Sequence, residues 1–213
     1  MLKLAPICLL TCSATFASEA LPFWKAKPRV YERIQNREII VVVDTLSEVS
    51  TSPHRAFHSG GGGWVSAPCS FVFKTAQNYT QLTQASDYIK KAEYDAAKNV
   101  LNLHVEAFGH KADVGVEPKP SPDQEPRSIA FRIVSGPMTG FSGRVALTDL
   151  PKNKCEVGFE GDYKYDEFPI PKLFLEFGME VIFQRIALRM RGYVEDQYHT
   201  NQSPSKTGSE VKK

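Results

Sequence analysis

The segment LEFGMEVIFQRIALRMRGYVE, residues 175–195, places arginines inside an otherwise apolar helix pattern. Arg185 and Arg189 lie one helical turn apart and fall between two apolar rows, with Gly178 earlier on the same line. Guanidinium groups bind carboxylates and phosphates through paired hydrogen bonds, so this line is a candidate contact for the polar or anionic head of a ligand. The alternative is structural, with the arginines extending to a rim or pairing with carboxylates such as Asp162.

The other residues of this segment sort onto separate sides of a helix. The polar stripe is predicted to face water and contains Glu176, Glu180, Gln184, Arg191 and Glu195. The two apolar rows are Leu175, Met179, Ile182 and Ile186, and Phe174, Val181 and Leu188. Charged residues interrupt every uncharged run well before the roughly 20 residues that a membrane span needs, so the segment does not predict a transmembrane helix.

No other set of residues predicts catalysis or metal binding. His54 and His58 have i, i+4 spacing, but they stand beside the glycine run 60–63 and lack a further ligand motif. Glu160 and Asp162 share one face of a strand, where solvated charges are the favoured interpretation over an acid–base pair. The sequence therefore predicts no catalytic residue, no metal and no cofactor.

Length and charge indicate one soluble globular domain that does not bind nucleic acid. The chain has 213 residues, of which 42% are hydrophobic and 23% charged. Its formal net charge is +2, and the basic residues form no clustered patch of the kind that nucleic-acid binders carry.

The first twenty residues predict a secretory signal peptide, so the mature protein is expected to be periplasmic or secreted. MLK supplies a positive start, an apolar run follows, and Thr15–Ala17 or Ser18–Ala20 fits a small-x-small cleavage site. A lipid-attachment box ending at Cys12 is a weaker alternative, because Thr11 is larger than the residue expected there. Export leaves Cys69 and Cys155, which form either a disulfide or two separate buried thiols.

Alternating hydrophobicity and turn residues predict the order of the elements. A strand is predicted at 37–46, a second at 54–67 with a bulge or bend at its glycines, then a helix capped by Ser66 and a short helix at 78–85. Further strands are predicted at 87–95, 99–108, 128–134, 143–149 and 154–166, with a proline-rich loop at 117–126. A long helix begins near Pro169 and ends near Asp196, and the polar residues 199–213 predict a disordered tail.

Two stretches and the long helix together resemble a known superfamily. GWVSAPCSFVFKTAQNYTQL is similar to its strand, Ala-Pro helix start and two short helices, and IVSGPMTGFSGRVALTDLPKNKCEVGFEGDY is similar to its final hairpins. Residues 169–196 stand where its lid helix belongs. The pattern resembles the START/Bet v 1-like (SRPBCC) helix-grip superfamily, in particular its coenzyme Q-binding and polyketide-cyclase-like branch.

The resemblance implies an α+β helix-grip fold. A curved antiparallel sheet of about six to seven strands would wrap around the C-terminal helix, with two short helices after the first grip strand. The implied organisation is a signal peptide at 1–20, a lead-in with an extra strand at 21–53, a START-like ligand-binding domain at 54–198, and the tail at 199–213. The glycine run 60–63 and the strand at 37–46 depart from the superfamily pattern.

The resemblance also implies a cavity between sheet and helix for an apolar or amphipathic molecule such as a lipid or isoprenoid quinone. A binder or carrier with transient membrane contact for ligand exchange is the first function expected, and a polyketide cyclase or aromatase the alternative. A filled core without room for a ligand is the other outcome that the same side chains allow. The topology implied for this fold places Cys155 near Cys69, which favours their disulfide. The residues expected to contact the ligand are Phe131, Phe159, Tyr163, Tyr165, Phe174, Gly178, Met179, Val181, Ile182, Arg185 and Arg189.

Overall fold

A computed structural model of the chain describes residues 22–47, 55–107, 109–165 and 172–202. The described residues form one antiparallel sheet of eight strands in the order β1-β2-β8-β7-β6-β5-β4-β3. The strand bounds are β1 Ile40–Ser47, β2 Arg55–Val65, β3 Ile89–Asp95, β4 Val100–Ala107, β5 His110–Ser121, β6 Arg127–Ser135, β7 Ser142–Leu150 and β8 Lys154–Tyr165.

Within the same ranges, five helices and one 3-10 turn accompany the sheet. They are α1 Phe23–Ala26, α2 Pro28–Gln35, α3 Cys69–Ala76, the 3-10 turn Tyr79–Gln81, α4 Leu82–Ala85 and α5 Lys172–Gln202. The long helix α5 continues to Gln202, four residues into the stretch predicted as a tail, because His199 to Gln202 extend its last turn. Residues 203–213 and the predicted signal peptide lie outside the described residues.

The sheet contains one strand more than the upper bound expected from the sequence. The additional strand is β5, whose second half was predicted as a proline-rich loop. Pro118 and Pro120 pair only with β6, since the pairing of β4 with β5 ends at Val116. A strand with one neighbour tolerates proline, because the missing N–H leaves no ladder bond unmade on the open side.

The glycine run of β2 contains no bulge, contrary to the sequence-based prediction. Its register is continuous from Arg55 to Val65 against β8, and the pairing with β1 is also unbroken. The glycines instead allow close packing on the convex face, where a Cβ at Gly62 would lie 3.0 Å from the ring of Trp24 and one at Gly60 would lie 3.3 Å from Phe23. Helices α1 and α2 cover this face through the N-terminal cluster, whose buried members are Trp24, Ile34 and Ile40.

The convex face also buries one carboxylate of β8, on the same side of the strand as Glu160 and Asp162. Glu156 is only 3% exposed, because α1 and α2 cover it. It forms an ion pair with Lys25 at 2.6 Å and accepts hydrogen bonds from Tyr31 at 3.1 Å and Trp64 at 3.4 Å. Burial and then the charge of Glu156 raise the pKa of Tyr31, so its hydroxyl remains a neutral donor.

On the concave face, a disulfide joins Cys69 at the start of α3 to Cys155 at the start of β8, with a Cα–Cα distance of 4.9 Å. Asp149 on β7 accepts a hydrogen bond from the Cys69 N–H at 3.3 Å. Ser66 was predicted to cap α3, but the residue before the helix is Pro68, and the Ser66 N–H binds Glu195 of α5 instead. The disulfide cluster around this bond consists of Val65, Ala67, Cys69, Val72, Phe73, Ile129, Leu147, Cys155 and Val194.

Candidate ligand-binding site

The concave face of the sheet and α5 enclose a second group of side chains, here called the aromatic cluster. Its buried members are Val43, Phe57, Phe141 and Tyr165, and its half-buried members include Phe131, Ile133, Phe159, Tyr163, Met179 and Phe183. Five residues predicted to contact a ligand therefore lie together at one end of the concave face, and they are Phe131, Phe159, Tyr163, Tyr165 and Met179.

The rings of this cluster pack in a continuous set from the sheet to the helix. Phe131 and Phe159 stack with centroids 6.3 Å apart, and Phe159 meets Phe183 of α5 edge-on at 5.4 Å. Phe141 sits between them, 6.0 Å from Phe131 and 6.4 Å from Phe183. The packed rings anchor the N-terminal half of α5 above the sheet.

Sequence analysis missed Phe141 because it lies in a glycine-rich turn. The turn bends its side chain back over β8, where a Cβ at Gly161 would lie 2.5 Å from the Phe141 ring. The sequence does show a large aromatic residue, Phe141, in a predicted turn and a glycine, Gly161, in a predicted core strand. A single sequence does not show which strands are neighbours, so it does not indicate that these two residues pack together.

Beyond the aromatic cluster, the concave face continues as an apolar wall on β4 and β5. Val116 pairs directly with Ile133 of the cluster and with Leu101, so all three lie on the concave side. Val114 pairs with Leu103 and lies two residues before Val116, on the same side. Leu103, Val114 and Val116 are apolar and point inward, yet they are only half-buried and belong to none of the apolar clusters. This wall is accessible to molecules at least as large as water.

The predicted ligand contacts on α5 occupy two different surroundings. Ile182 and Val181 are both half-buried. A Cβ at Gly178 would meet no atom within 4 Å, so this side of the helix is open. Phe174 belongs to the part of α5 whose side chains are not described.

The two arginines lie outside the aromatic cluster and are exposed. Arg189 donates two hydrogen bonds to one oxygen of Asp87, at 2.9 and 2.7 Å, and thereby links α5 to the residues before β3. Tyr193, one turn further along, donates a hydrogen bond to Gln81, and burial raises the pKa of its hydroxyl. The line of Arg185 and Arg189 thus faces the side of the groove nearest β3, at its rim. The carboxylate named as an alternative partner, Asp162, binds His58 on the convex face at 2.8 Å.

The polar stripe of α5 does not face water as predicted, because it packs along the free edge of β1. Glu180 accepts a hydrogen bond from the Val43 N–H at 3.0 Å, and Glu176 accepts one from the Thr45 N–H at 2.9 Å. Gln184 and Arg191 donate to the carbonyls of Ile39 and Arg37, at 3.1 and 2.6 Å, and Glu195 binds both Arg37 and the Ser66 N–H. These side chains complete the hydrogen bonds that an edge strand leaves unmade.

Replacement of Glu180 by alanine is expected to lower the free energy of unfolding by about 1–3 kcal/mol, because the N–H of Val43 loses its acceptor in a partly buried position. Glu180→Gln retains a side-chain oxygen and should be clearly more stable than Glu180→Ala. Urea unfolding of the two variants and the unaltered protein measures the difference. Equal stability of the two variants would show that the hydrogen bond to β1 contributes nothing.

The convex face carries separate polar pairs. His104 of β4 binds Asp113 of β5 at 2.8 Å and approaches Glu106 at 3.5 Å. His104 and Asp113 border a shallow surface depression whose lining also includes Leu103 and Val114. Within the described ranges, no group of three or more His, Cys, Asp or Glu side chains is arranged to hold a metal ion.

Comparison with known proteins identifies the fold. No protein-family model matches the sequence, and no curated protein sequence matches it. Among solved structures, 66% of the chain is similar to 98% of a START superfamily protein from Mycobacterium smegmatis, with a TM-score of 0.56 and 16% identity. The Zhui aromatase/cyclase from Streptomyces sp. R1128 is similar over 72% of this chain and 99% of its own, with a TM-score of 0.58 and 15% identity. A third structure, the Thermus thermophilus protein TTHA0849, has a TM-score of 0.56 and 16% identity, over 68% of this chain and 99% of its own.

These likenesses show that the chain has the START/Bet v 1-like helix-grip fold, as the sequence patterns predicted. Strand β2, helices α3 and α4, strands β3 to β8 and helix α5 follow the implied order, and the sheet is antiparallel throughout. Strand β1 extends the sheet beyond the first grip strand, β2. Among the described helices, none is both long and apolar enough to cross a membrane.

Proposed function

We propose that the protein binds or carries a hydrophobic small molecule, such as a lipid or an isoprenoid quinone, between the concave face and α5. The observation that supports this function is the accessible apolar wall formed by Leu103, Val114 and Val116. A sheet that served only as a scaffold would gain stability from burying these side chains, at about 25 cal/mol per Å² of apolar surface. Their incomplete burial within a concave face is the arrangement that an apolar ligand would complete.

The position of the wall between two packed clusters indicates where the ligand lies. The aromatic cluster fills one end of the concave face, and the disulfide cluster fills the end near α3. The ligand is therefore expected to lie against β4 and β5, with the middle of α5 above it. The rings of Phe131 and Phe159 border this space from the aromatic cluster and supply flat apolar contacts.

We further propose that the protein acts outside the cytoplasm, in the periplasm or as a secreted protein. The signal-peptide pattern of residues 1–20 supports export. The disulfide between Cys69 and Cys155 supports it independently, because such bonds persist in oxidising compartments. N-terminal sequencing of the protein from its own source tests the proposal, and a mature chain that retains Met1 would contradict it.

Native mass spectrometry of the mature protein, purified from its own source without detergent, is expected to show a bound molecule that organic solvent extracts unchanged. Val114→Trp should abolish this binding, or weaken binding of a fluorescent fatty-acid analogue at least about tenfold, because the indole occupies the space beside the wall. The thermal midpoint of unfolding should change little, since Val114 is only half-buried and belongs to none of the packed apolar clusters.

Val134→Trp is the matched control, because Val134 is an exposed apolar residue of β6 that belongs to neither the aromatic cluster nor the apolar wall. This variant should bind the analogue as the unaltered protein does. Equal binding by Val114→Trp and the unaltered protein would contradict the proposed site. Recovery of a chemically converted ligand would favour the cyclase or aromatase alternative over a carrier.

A further inference from the structure

The outward side of α5 carries large apolar side chains that the described part of the chain leaves exposed. Phe177 is 65% exposed and Leu188 is 43% exposed. A Cβ at Gly178 or at Gly192 would meet no atom within 4 Å, so open space extends along the helix between these positions. The exposed surface runs for about 22 Å, given a rise of 1.5 Å per residue.

Cationic side chains lie on the same side of the helix. Arg185 and Arg189 are both exposed. The helical repeat places these two arginines, Phe177 and Leu188 together within about a third of the helix circumference. The glutamates of α5 are held by partners within the fold, because Glu176 and Glu180 accept hydrogen bonds from β1 and Glu195 pairs with Arg37. This side of the helix, here called the docking face, consists of Phe177, Gly178, Arg185, Leu188, Arg189 and Gly192.

We propose that the docking face binds the surface of an anionic lipid bilayer. Exposed aromatic and aliphatic side chains enter the boundary between headgroups and acyl chains, while neighbouring arginines bind lipid phosphates. The ion pair of Arg189 with Asp87 does not oppose this, because both side chains are more than 60% exposed and such surface pairs are weak. Arg189 can exchange Asp87 for a phosphate when the helix meets the bilayer.

The positive charge of the docking face favours binding to an anionic bilayer over binding to a second copy of the chain. A two-fold dimer through the docking face would bring the arginines of both copies together, and like charges at an interface disfavour association. An anionic surface complements the same residues. Because Arg189 also marks the rim of the groove on the β3 side, docking would place the opening of the candidate ligand site next to the membrane.

Flotation of the mature protein with phosphatidylcholine vesicles, with and without phosphatidylglycerol, tests the proposal. Binding is expected only to the anionic vesicles and should weaken as salt is added. Arg185→Glu changes two charges at the surface and should lower partitioning by roughly twentyfold. Phe177→Ser together with Leu188→Ser should lower it by about tenfold, through loss of apolar insertion.

Two variants of β6 serve as controls. Arg132→Glu makes the same charge change at an exposed residue of this strand, and Val134→Ser removes an exposed apolar residue of it. Both should float as the unaltered protein does. Equal flotation of Arg185→Glu and Arg132→Glu, or equal binding to neutral and anionic vesicles, would overturn the proposal. A dimer in solution that Phe177→Ser dissociates would also overturn it, by assigning the face to a second copy. The flotation measures surface binding alone, so its failure leaves the proposed ligand site untouched.

Discussion

Replacement of both Cys69 and Cys155 by alanine is expected to lower the free energy of unfolding by about 4–5 kcal/mol. The bond closes a loop of 86 residues in sequence separation, and in the chain-entropy model a loop of this length restricts the unfolded chain strongly. Both residues are fully buried within the disulfide cluster. The two alanines therefore also leave a small gap, which adds to the loss.

Urea unfolding of the double variant and of the oxidised protein measures this loss. Unaltered protein unfolded and refolded under reducing conditions is the control, and its stability should approach that of the double variant. The dependence of unfolding on urea should also steepen when the bond is absent, because the unfolded chain exposes more surface. A double variant as stable as the oxidised protein would show that the bond contributes nothing to the fold.

The disulfide also bears on the candidate ligand site. It fixes the start of α3 against β8, and the disulfide cluster that surrounds it includes Val194 of α5. The C-terminal half of α5 thus packs through apolar contacts on a cluster that the disulfide holds together, whereas its N-terminal half is held by the aromatic cluster and by hydrogen bonds to β1. Reduction is therefore expected to loosen the end of the groove near α3 first.

Strong alternation allowed several parts of the site to be predicted from the sequence. In β8, Cys155, Val157, Phe159 and Tyr163 alternate with polar residues, and the structure places all four on the concave face. The face of each residue can be predicted from its position in the strand, because apolar side chains recur every two residues in a strand that buries one face. The pairing of β8 with β2 was expected only through the resemblance, since a single sequence does not show which strands are neighbours.

The polar stripe of α5 shows where this kind of inference fails. Amphipathic patterns assign charged side chains to water, but the free edge of β1 presents N–H groups that need acceptors. Glu176 and Glu180 satisfy them, while Phe177 remains exposed. The prediction therefore assigned the wrong side of the helix to water. The error followed from treating β1 as a separate lead-in strand, because the polar side of the helix packs against β1.

The convex face was mispredicted for a related reason. A run of four glycines suggested a distorted strand, whereas the structure shows a regular strand beneath a tryptophan. Small residues on a sheet leave a hollow that only a distant segment can fill. Gly62 and Gly158 form one hollow because they face each other on the paired strands β2 and β8. The sequence alone does not show that these strands are neighbours.

Replacement of Trp24 by alanine is expected to lower the free energy of unfolding by about 3–5 kcal/mol, since a side chain only 3% exposed is removed from this hollow. Gly158→Ala should cost about 1–3 kcal/mol, because its Cβ would lie 2.9 Å from the Trp24 ring. The two effects should not add. Without the indole, the added methyl group has room, and the cost of Gly158→Ala should largely disappear.

A double-mutant cycle of these two substitutions, measured by urea unfolding, therefore tests whether the N-terminal helices belong to the folded core. Gly192→Ala is the control, because its Cβ would meet no atom within 4 Å and alanine favours the helix by about 0.5–1 kcal/mol. Coupling above about 1 kcal/mol between Trp24 and Gly158 is expected, since the two are in contact. Simple additivity would mean that α1 does not rest on β2 and β8 in solution.

Coupling would show that Trp24, together with the adjacent ion pair of Lys25 with Glu156, stabilises β8 from its convex side. The opposite face of that strand carries Phe159 and Tyr163, so the N-terminal helices would then stabilise the wall of the aromatic cluster from behind.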